Sequence, residues 1–446
     1  MRKSFSLFRT SWLAALAMSL ALPLAACDEQ ETAAAGQTFG PKPVLGEPEK
    51  SLIPTVNVAK AIGWPAGRQP IAADGMAVKA FAAGLDHPRT LYALPNGDVL
   101  VTETNAPERP DETKGIKGWI TKMVMGRAGA DTPSANRITL LRDTNGNGVA
   151  ETRTVLIEGL NSPFGMALVG NDFYVACSDA ILKFPYHPGD TKITAPGVKL
   201  TELPAGPLNH HWTKDLLASR DGMRLYATVG SNSNIGENGL EAETHRASVL
   251  EVDRLSGKWR VFASGLRNPN GPAWQPQSGA LWVVVNERDE LGNDLVPDYM
   301  TSVKDGGFYG WPYSYFGQHI DARVAPQRPD LVAEAIVPDY ALGAHTASLG
   351  LAFNTGRLFP SEMANGAFIG QHGSWNRTPR AGYKVIFVPF TNGMPSGQPR
   401  DILTGFLNAN GEAQGRPVGV AIDKQGALLV ADDVGNAVWR VTPAAK

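Results

Sequence analysis

The stretch Leu85–Glu103 has the sequence LDHPRTLYALPNGDVLVTE, in which a loop leads into a strand, a tight turn follows, and a second strand returns. The Asn96-Gly97 pair is typical of a reversal between antiparallel strands, because both residues tolerate the backbone conformation that such turns need. The same order recurs at 161–176, 216–229, 272–285, 349–369 and 418–431. These repeated hairpins predict an all-β chain.

Six such units, about 50 to 80 residues apart, fit six blades of four-stranded sheet around a central axis. We therefore expect a six-bladed β-propeller. Glycine and proline are abundant, with 48 and 33 residues, and long amphipathic helical patterns are scarce. A β-sandwich or a pair of β domains is the alternative, because turns and strands alone do not close a ring. Closure requires a complete last blade, and the segment 438–441 is expected to contribute to it.

The N-terminus has the order of a secretory signal, in which basic residues precede an apolar stretch that here runs from Trp12 to Leu24. That stretch is shorter than the roughly 20 apolar residues of a membrane helix. It ends in LAAC at 24–27, which resembles the lipobox of bacterial lipoproteins and predicts a lipid on Cys27. An ordinary cleavage site is the alternative. Asp28 resembles a retention signal, so we expect anchoring at the periplasmic face of the inner membrane.

The chain is expected to have three parts: a lipoprotein signal over 1–27, a flexible tether over 28–70 that is rich in Ala, Gly, Pro and Glu, and a propeller domain over 71–446. If Cys27 carries lipid, Cys177 is the only other cysteine, so no disulfide framework is possible. The formal net charge of −2 gives no basic surface for phosphates, and we expect no nucleic-acid partner.

Four further segments occur in a set order: NHHWTKDL at 209–216, GLRNPNG at 265–271, GFYGWP at 307–312 and HGSWNR at 372–377. Together they resemble the glucose/sorbosone dehydrogenase family over about residues 81–441, and within it the L-sorbosone dehydrogenase-like branch. The resemblance implies a six-bladed propeller that binds pyrroloquinoline quinone (PQQ) and calcium over its axis. It also implies oxidation of a sugar or sugar aldehyde to the lactone or acid.

Oxidation of a hydroxyl by hydride transfer needs a base, and an imidazole that titrates near neutral pH suits that role. The resemblance makes His211 the candidate base, with the adjacent His210 as its rival. It assigns catalytic roles to His211, Arg267 and Asp294. It places four residues at the cofactor, where guanidinium groups would pair with carboxylates: Arg267, Asn268, Arg377 and Arg416.

The segment 286–294 matches the family's calcium loop in position, and Asp289 and Glu290 are the expected metal ligands. Relatives often have Gly-Pro there, so this pair is a departure from the pattern. Phe164 is a second departure, because sugar-oxidising relatives commonly have a Gln-Gly-Gly segment at that place. An aromatic ring cannot donate the same hydrogen bonds, so altered or lost quinone affinity is expected.

Aromatic faces pack on sugar rings, and the residues expected to line a sugar pocket are Tyr309, Trp311 and Trp375. Electrons are expected to pass to an acceptor in the respiratory chain. Two other functions stay open. One is a propeller lactonase or other hydrolase in which an axial calcium activates water. The other is a propeller that has lost its cofactor and binds a ligand only.

Overall fold

The computed structural model of the chain describes residues 38–49, 55–108, 126–129 and 132–445. The expected signal segment and Cys27 lie outside these ranges. Within them, 29 strands account for nearly all regular structure, which confirms the all-β prediction. No helix in the described part of the chain is long and apolar enough to cross a membrane.

The first half of the chain supplies three leading strands and then three complete blades. The leading strands are β1 (Phe39–Gly40), β2 (Ile71–Ala72) and β3 (Met76–Ala83). Blade 1 contains β4 (Pro88–Ala93), β5 (Val99–Glu103), β6 (Arg137–Arg142) and β7 (Thr152–Ile157). Blade 2 contains β8 (Gly165–Val169), β9 (Asp172–Ala176), β10 (Ala180–Pro185) and β11 (Val198–Glu202). Blade 3 contains β12 (Leu216–Ala218), β13 (Arg224–Val229), β14 (Ser248–Asp253) and β15 (Trp259–Ser264), with a 3-10 helix at Leu240–Glu243.

The second half supplies the other three blades and one insertion. Blade 4 contains β16 (Pro269–Trp274), β17 (Leu281–Val285) and β18 (Pro297–Val303), then an inserted hairpin of β19 (Ser314–Tyr315) and β20 (His319–Ile320), helix α1 (Pro329–Glu334), and β21 (Tyr340–Ala344). Blade 5 contains β22 (Ser348–Phe353), β23 (Gly366–Gln371), β24 (Lys384–Thr391), β25 (Met394–Pro395) and β26 (Arg400–Thr404), with a 3-10 helix at Ser361–Met363. Blade 6 contains β27 (Pro417–Ile422), β28 (Leu428–Asp432) and β29 (Ala437–Pro443).

The blades close into a ring. The first strand of each blade contacts the first strand of the next, from β4 through β8, β12, β16, β22 and β27 and back to β4. Blade 6 receives its fourth strand from the other end of the chain, because β3 pairs antiparallel with β29, with Ala82 opposite Val438. The six-bladed propeller is therefore confirmed, and the expected contribution of 438–441 to the last blade is observed.

The repeated hairpins of the sequence are the first two strands of each blade. In five blades the turn between these strands contains a glycine in the left-handed region, with φ of 103° at Gly97, 61° at Gly170, 70° at Gly222, 72° at Gly279 and 90° at Gly426. Residues with a side chain adopt this conformation at a cost, and glycine does not. Four of the six second strands, such as β5, are buried along their whole length, and in β9 and β13 only the first residue is partly exposed. Apolar clusters between neighbouring blades form the core.

The described residues of the expected tether contact the propeller. Phe39 and Gly40 pair with Leu342 and Ala341 and add a fifth strand to blade 4. Residues 55–64, which we call the N-terminal strap, run along blades 5 and 6. The backbone N–H of Asn57 donates to the carbonyl oxygen of Trp375 at 2.7 Å. The tether expectation is thus corrected for these residues, because their polar and aromatic groups have fixed partners on the propeller.

Candidate active site

The expected site residues gather at one end of the ring, where the first strands of the blades begin. The residues immediately before these strands are His87, Phe164, Asp215, Asn268, Ala347 and Arg416. Because the first strands surround the axis, side chains at their starts converge. The loops between the second and third strands of each blade lie at the same end and supply the remaining residues.

His211 has the geometry of a neutral base. Its Nδ1 lies 2.8 Å from the carbonyl oxygen of Ser231 and 3.0 Å from the Ser231 hydroxyl. A carbonyl oxygen only accepts, so Nδ1 carries the proton and Nε2 carries the lone pair. None of the described residues forms a hydrogen bond with Nε2. Burial lowers the pKa of His211 well below its ordinary value, and the neighbouring His210 and Arg267 lower it further.

Two buried cations fix the loop that carries His211. The carbonyl oxygen of His211 accepts hydrogen bonds from Lys214 Nζ at 3.3 Å and Arg246 Nη2 at 3.2 Å. The amide oxygen of Asn209 accepts from both of them as well, at 3.1 Å each. No motif in the sequence points to Arg246, which lies 35 residues from His211 along the chain. These bonds hold the candidate base in one orientation.

His210 and Asn268 both lie beside His211. The two imidazole rings meet edge to face with centroids 4.7 Å apart. A Cβ atom at Gly230 would lie within 3 Å of both Asn268 Oδ1 and His211 Cβ, so a glycine is needed where these two residues approach. Asn268 Oδ1 is buried and has no hydrogen-bond partner among the described residues. The expected pair of base and cofactor contact is therefore brought together.

Arg267 lies near His211, but its guanidinium N–H groups donate to other groups of the protein. A guanidinium group has five N–H donors. Those of Arg267 reach the backbone oxygens of Asn234, Asn286 and Glu287, the Asn234 amide oxygen, and Asp289 Oδ2. Arg267 thus joins a loop of blade 3 to a loop of blade 4. The expected cofactor contact is corrected to this extent: the guanidinium has no donor left to offer.

Asp289 and Glu290 do not meet at a shared metal position. Asp289 Oδ1 accepts from Asn376 Nδ2 at 2.8 Å, lies 3.4 Å from His345 Nδ1, and shares its carboxylate with Arg267. Glu290 instead pairs with Arg323 at 2.9 Å on the exposed side of the loop. Across the described ranges, no group of three or more His, Cys, Asp or Glu side chains is placed to hold a metal. The roles of Asp289 and Glu290 as calcium ligands stay a prediction, and here each carboxylate has its own protein partners.

Asp289 and His345 shift each other's pKa values in opposite directions. Burial acts to raise the pKa of Asp289, but hydrogen bonding from His345 and the charge of Arg267 lower it to about 2. Burial acts to lower the pKa of His345, and Asp289 outweighs it and raises that pKa. The carbonyl oxygen of Gly292 lies 2.9 Å from His345 Nε2. The carboxylate of Asp289 therefore favours the charged form of His345.

Arg377 and Asp294 form a pair at the rim. Arg377 Nη2 lies 2.6 Å from Asp294 Oδ1, and its Nε donates to the carbonyl oxygen of Asn293 at 2.8 Å. Both side chains are partly exposed, at 16% and 21%. The structure brings these two predicted residues together and pairs them with each other.

The three aromatic residues expected at a sugar pocket differ in position. Tyr309 is fully buried in a core cluster of blade 4, and its hydroxyl donates to the carbonyl oxygen of Ser302 at 2.5 Å. This corrects the expectation that Tyr309 lines a pocket. Trp311 is also buried, with its Nε1 donating to the Asn234 carbonyl oxygen at 2.9 Å. Trp375 alone is partly exposed.

Sequence analysis missed a polar cluster centred on Asp433. Its Oδ2 atom accepts from Arg89 Nη1 at 2.6 Å and lies 2.8 Å from His372 Nε2 and 3.5 Å from His87 Nε2. Burial acts to raise the pKa of Asp433, but the positive neighbours hold it well below its ordinary value. His372 begins the HGSWNR segment, which was the one available signal.

Phe164 and Arg416 lie immediately before the first strands of blades 2 and 6. The Phe164 ring is buried between Trp212, at 5.8 Å between centroids, and the Arg89 guanidinium, at 6.0 Å. Arg416 is buried with its guanidinium 5.2 Å from the Tyr383 ring centre. Its Nη2 donates to the Tyr383 hydroxyl and to the carbonyl oxygen of Ala59, each at 3.3 Å. Unlike Arg267, Arg416 keeps a buried Nε without a partner among the described residues.

A family model described as TrAA12-like matches residues 132–304 and 330–444, which is more than half of the chain. The chain belongs to the TrAA12-like family. A PQQ-dependent pyranose dehydrogenase of Coprinopsis cinerea is 24% identical over 434 residues, covering 82% of this chain and 54% of that protein. An aldose sugar dehydrogenase of Escherichia coli is 31% identical over 110 residues, covering 24% of this chain and 28% of that protein.

A protein of Borreliella burgdorferi without a stated activity is 29% identical over 241 residues, covering 54% of this chain and 62% of that protein. The TrAA12-like chain thus spans 54–62% of the length of the first curated relatives that it matches.

Solved structures share the fold of this TrAA12-like chain. The PQQ domain of the Coprinopsis cinerea pyranose dehydrogenase, in its holo form, has a TM-score of 0.67 at 21% identity and covers 85% of this chain and 98% of that one. A calcium structure of a Trichoderma reesei family AA12 protein has a TM-score of 0.67 at 19% identity, with 87% and 99% covered. The soluble aldose sugar dehydrogenase of Escherichia coli has a TM-score of 0.56 at 17% identity, with 83% and 100% covered.

Proposed function

We propose that this chain is a quinone-dependent dehydrogenase that oxidises a sugar or a sugar aldehyde. The observation that carries the proposal is His211, a neutral imidazole whose Nδ1 bonds to Ser231 and whose Nε2 keeps its lone pair at the mouth of the ring. Support also comes from the relatives, which are named as pyranose and aldose sugar dehydrogenases. The sorbosone-like substrate and the lactone or acid product are parts of this proposal.

The residues at the axis fit a flat anionic cofactor such as PQQ. Buried polar atoms that lack a partner in the described part of the chain belong to Arg89, Asn268, Arg416 and Asp433. Each buried polar atom without a partner costs about 1–3 kcal/mol, so a group of them around one axis favours a polar ligand. Arg89 and Arg416 would bind its carboxylates. When bound, PQQ supplies the acceptor for the hydride.

The chain's own residues have distinct tasks in this proposal. His211 Nε2 accepts the proton of the substrate hydroxyl, while Nδ1–H stays on the Ser231 carbonyl oxygen and keeps the ring in place. Arg267 acts at a distance by joining two loops and by favouring the neutral form of His211. No step is assigned to calcium, because Asp289 pairs with Asn376, His345 and Arg267, and Glu290 pairs with Arg323.

The cellular setting is likewise a proposal. The basic and apolar order of the N-terminus and the LAAC sequence at 24–27 support a lipid anchor on Cys27. We place the protein at the periplasmic face of the inner membrane. There, electrons would leave through an acceptor of the respiratory chain.

The test uses the full-length chain, purified in detergent and supplied with PQQ in the presence and absence of calcium. Dye reduction is measured with aldoses and sugar aldehydes, and quinone binding is measured separately. We expect reduction in the wild type and a loss of roughly 10²–10⁴-fold in kcat in His211→Gln, with quinone binding retained. His187→Gln is the matched control, because that histidine is exposed and lies between β10 and β11, away from the candidate site.

The alternatives give different results in the same assay. Quinone binding without reduction of any dye would support a binding propeller, and cleavage of lactones that depends on calcium would support a hydrolase. A wild-type protein that binds no PQQ would overturn the dehydrogenase proposal.

A further inference from the structure

The N-terminal strap reaches the candidate cofactor site through one buried carboxylate. Asp432, at the end of β28, is fully buried. Its Oδ2 accepts hydrogen bonds from Trp64 Nε1 of the strap at 2.7 Å and from Trp439 Nε1 at 2.9 Å. Its Oδ1 accepts from the backbone N–H of Arg416 at 2.7 Å and of Gly435 at 2.8 Å. One carboxylate thus joins Trp64 to the start of the first strand of blade 6.

This contact is closely packed on both sides. A Cβ atom at Gly415 or at Gly435 would lie within 3 Å of both Asp432 Oδ2 and Trp64 Nε1. Only glycine leaves room for the indole to reach the carboxylate from the strap. The indole ring also packs edge-on against Phe406 and Trp439, at 5.6 Å between centroids in each case. The indole of Trp64 therefore occupies a cavity shaped to it.

The strap holds the guanidinium of Arg416 as well as its backbone. Arg416 Nη2 donates to the carbonyl oxygen of Ala59, which is a fully buried residue of the strap. Five residues further along the strap, Trp64 fixes Asp432, which in turn accepts from the Arg416 backbone. Both ends of Arg416 are thus tied to one short segment of chain.

We propose that Trp64 is a positioning residue, which holds Arg416 in the axial site through Asp432. The strap has the composition of a linker, but in this proposal it positions a residue of the site. This inference deepens the proposed function, and it rests on that function only where the cofactor is concerned.

The deciding variant is Trp64→Phe, which keeps an aromatic ring in the cavity and removes the N–H that Asp432 accepts. Its matched control is Trp274→Phe, which loses one indole N–H bond to a carbonyl oxygen, that of Ala218 at 2.8 Å, away from the site. Should Trp64→Phe fail to fold, Asp432→Asn tests the same link, because an amide presents only one oxygen to the donors on both sides.

Two measurements are made on the full-length protein. The first is PQQ affinity, by titration of the purified protein. Loss of a hydrogen bond to a buried charged group corresponds to roughly tenfold or more in binding, so we expect at least that weakening in Trp64→Phe and none in Trp274→Phe. The second is the rate at which phenylglyoxal modifies individual arginines, followed by mass spectrometry.

Arg416 and Arg246 are similarly buried, at 4% and 5% exposure, and Arg246 has no contact with the strap. We expect Trp64→Phe to speed the modification of Arg416 several-fold and to leave Arg246 unchanged. Wild-type PQQ affinity and wild-type Arg416 reactivity in Trp64→Phe, even with a lowered melting temperature, would overturn the positioning role. If the wild type binds no PQQ, the proposed function fails, and the arginine measurement still decides the role of Trp64.

Discussion

His211 donates its Nδ1 proton to the carbonyl oxygen of Ser231 at 2.8 Å, so a backbone group and not a carboxylate orients the candidate base. A carboxylate partner would favour the imidazolium form, whereas a neutral carbonyl does so far less. The nearby positive charge of Arg267 also disfavours the imidazolium. His211 is thus kept in the form that can accept a proton.

The first prediction concerns the acid limb of the pH profile. Because the pKa of His211 is lowered below the ordinary histidine value of about 6.5, kcat for dye reduction should hold from about pH 8 to about pH 6 and fall only at lower pH. His210→Gln removes a neighbour that lowers this pKa, so its acid limb should move to higher pH. Loss of all activity in His210→Gln would make His210 the base, and a wild-type limb above pH 6.5 would contradict the prediction.

The second prediction concerns the stability that Arg267 provides. Arg267→Met leaves the carboxylate of Asp289 without a guanidinium partner, and removal of one member of a buried pair costs about 3–5 kcal/mol. We expect a loss of that order in the free energy of unfolding, measured with urea. Arg323→Met is the control, since its pair with Glu290 is exposed and worth about 1 kcal/mol or less. Equal losses of unfolding free energy in the two variants would contradict the larger stabilisation assigned to Arg267.

The third prediction concerns the response of stability to acid. The pKa of Asp433 is lowered in the fold, so its stabilisation is present above the ordinary aspartate pKa of about 3.9 and is lost as the pH falls further. Asp433→Asn should be less stable at pH 7 and should lose less stability than the wild type on acidification below pH 4. Unfolding curves at several pH values measure both effects. Asp305→Asn serves for comparison, because that carboxylate is exposed.

The fourth prediction concerns calcium. Glu290 pairs only with Arg323 among the described residues, so Glu290→Gln should change stability by about 0.5 kcal/mol or less. It should also leave any calcium response of the melting temperature as in the wild type. Calcium could instead raise the melting temperature of the wild type and have no effect on either Glu290→Gln or Asp289→Asn. That result would support a metal site shared by the two residues.

The fold followed from local features of the sequence. The returning strand expected in the stretch Leu85–Glu103 is β5, and the hairpin expected over 216–229 contains β12 and β13. Turn glycines and apolar strands act over a few residues, so a single chain displays them directly. Because each blade begins with such a hairpin, counting hairpins was equivalent to counting blades.

The site was less predictable, because its contacts join distant parts of the chain. Trp64 and Asp432 are 368 residues apart, and Arg89 and Asp433 are 344 apart, so no local pattern reveals either pair. The structure brings the motif residues His211 and Asn268 together, and their roles stay predictions. Arg267 was expected to face a ligand, but the sequence does not show that Asn234 and Asp289 take up its donors.

Blade 6 combines β3 with three strands from the opposite end of the chain, and this has a consequence for biosynthesis. As the chain leaves the ribosome, β3 emerges before any other strand of its blade and must wait until the other five blades have been made. The ring therefore cannot close until β29 has been made. A circular permutant that begins at residue 84 would place all four strands of blade 6 in succession, and we expect it to assemble faster.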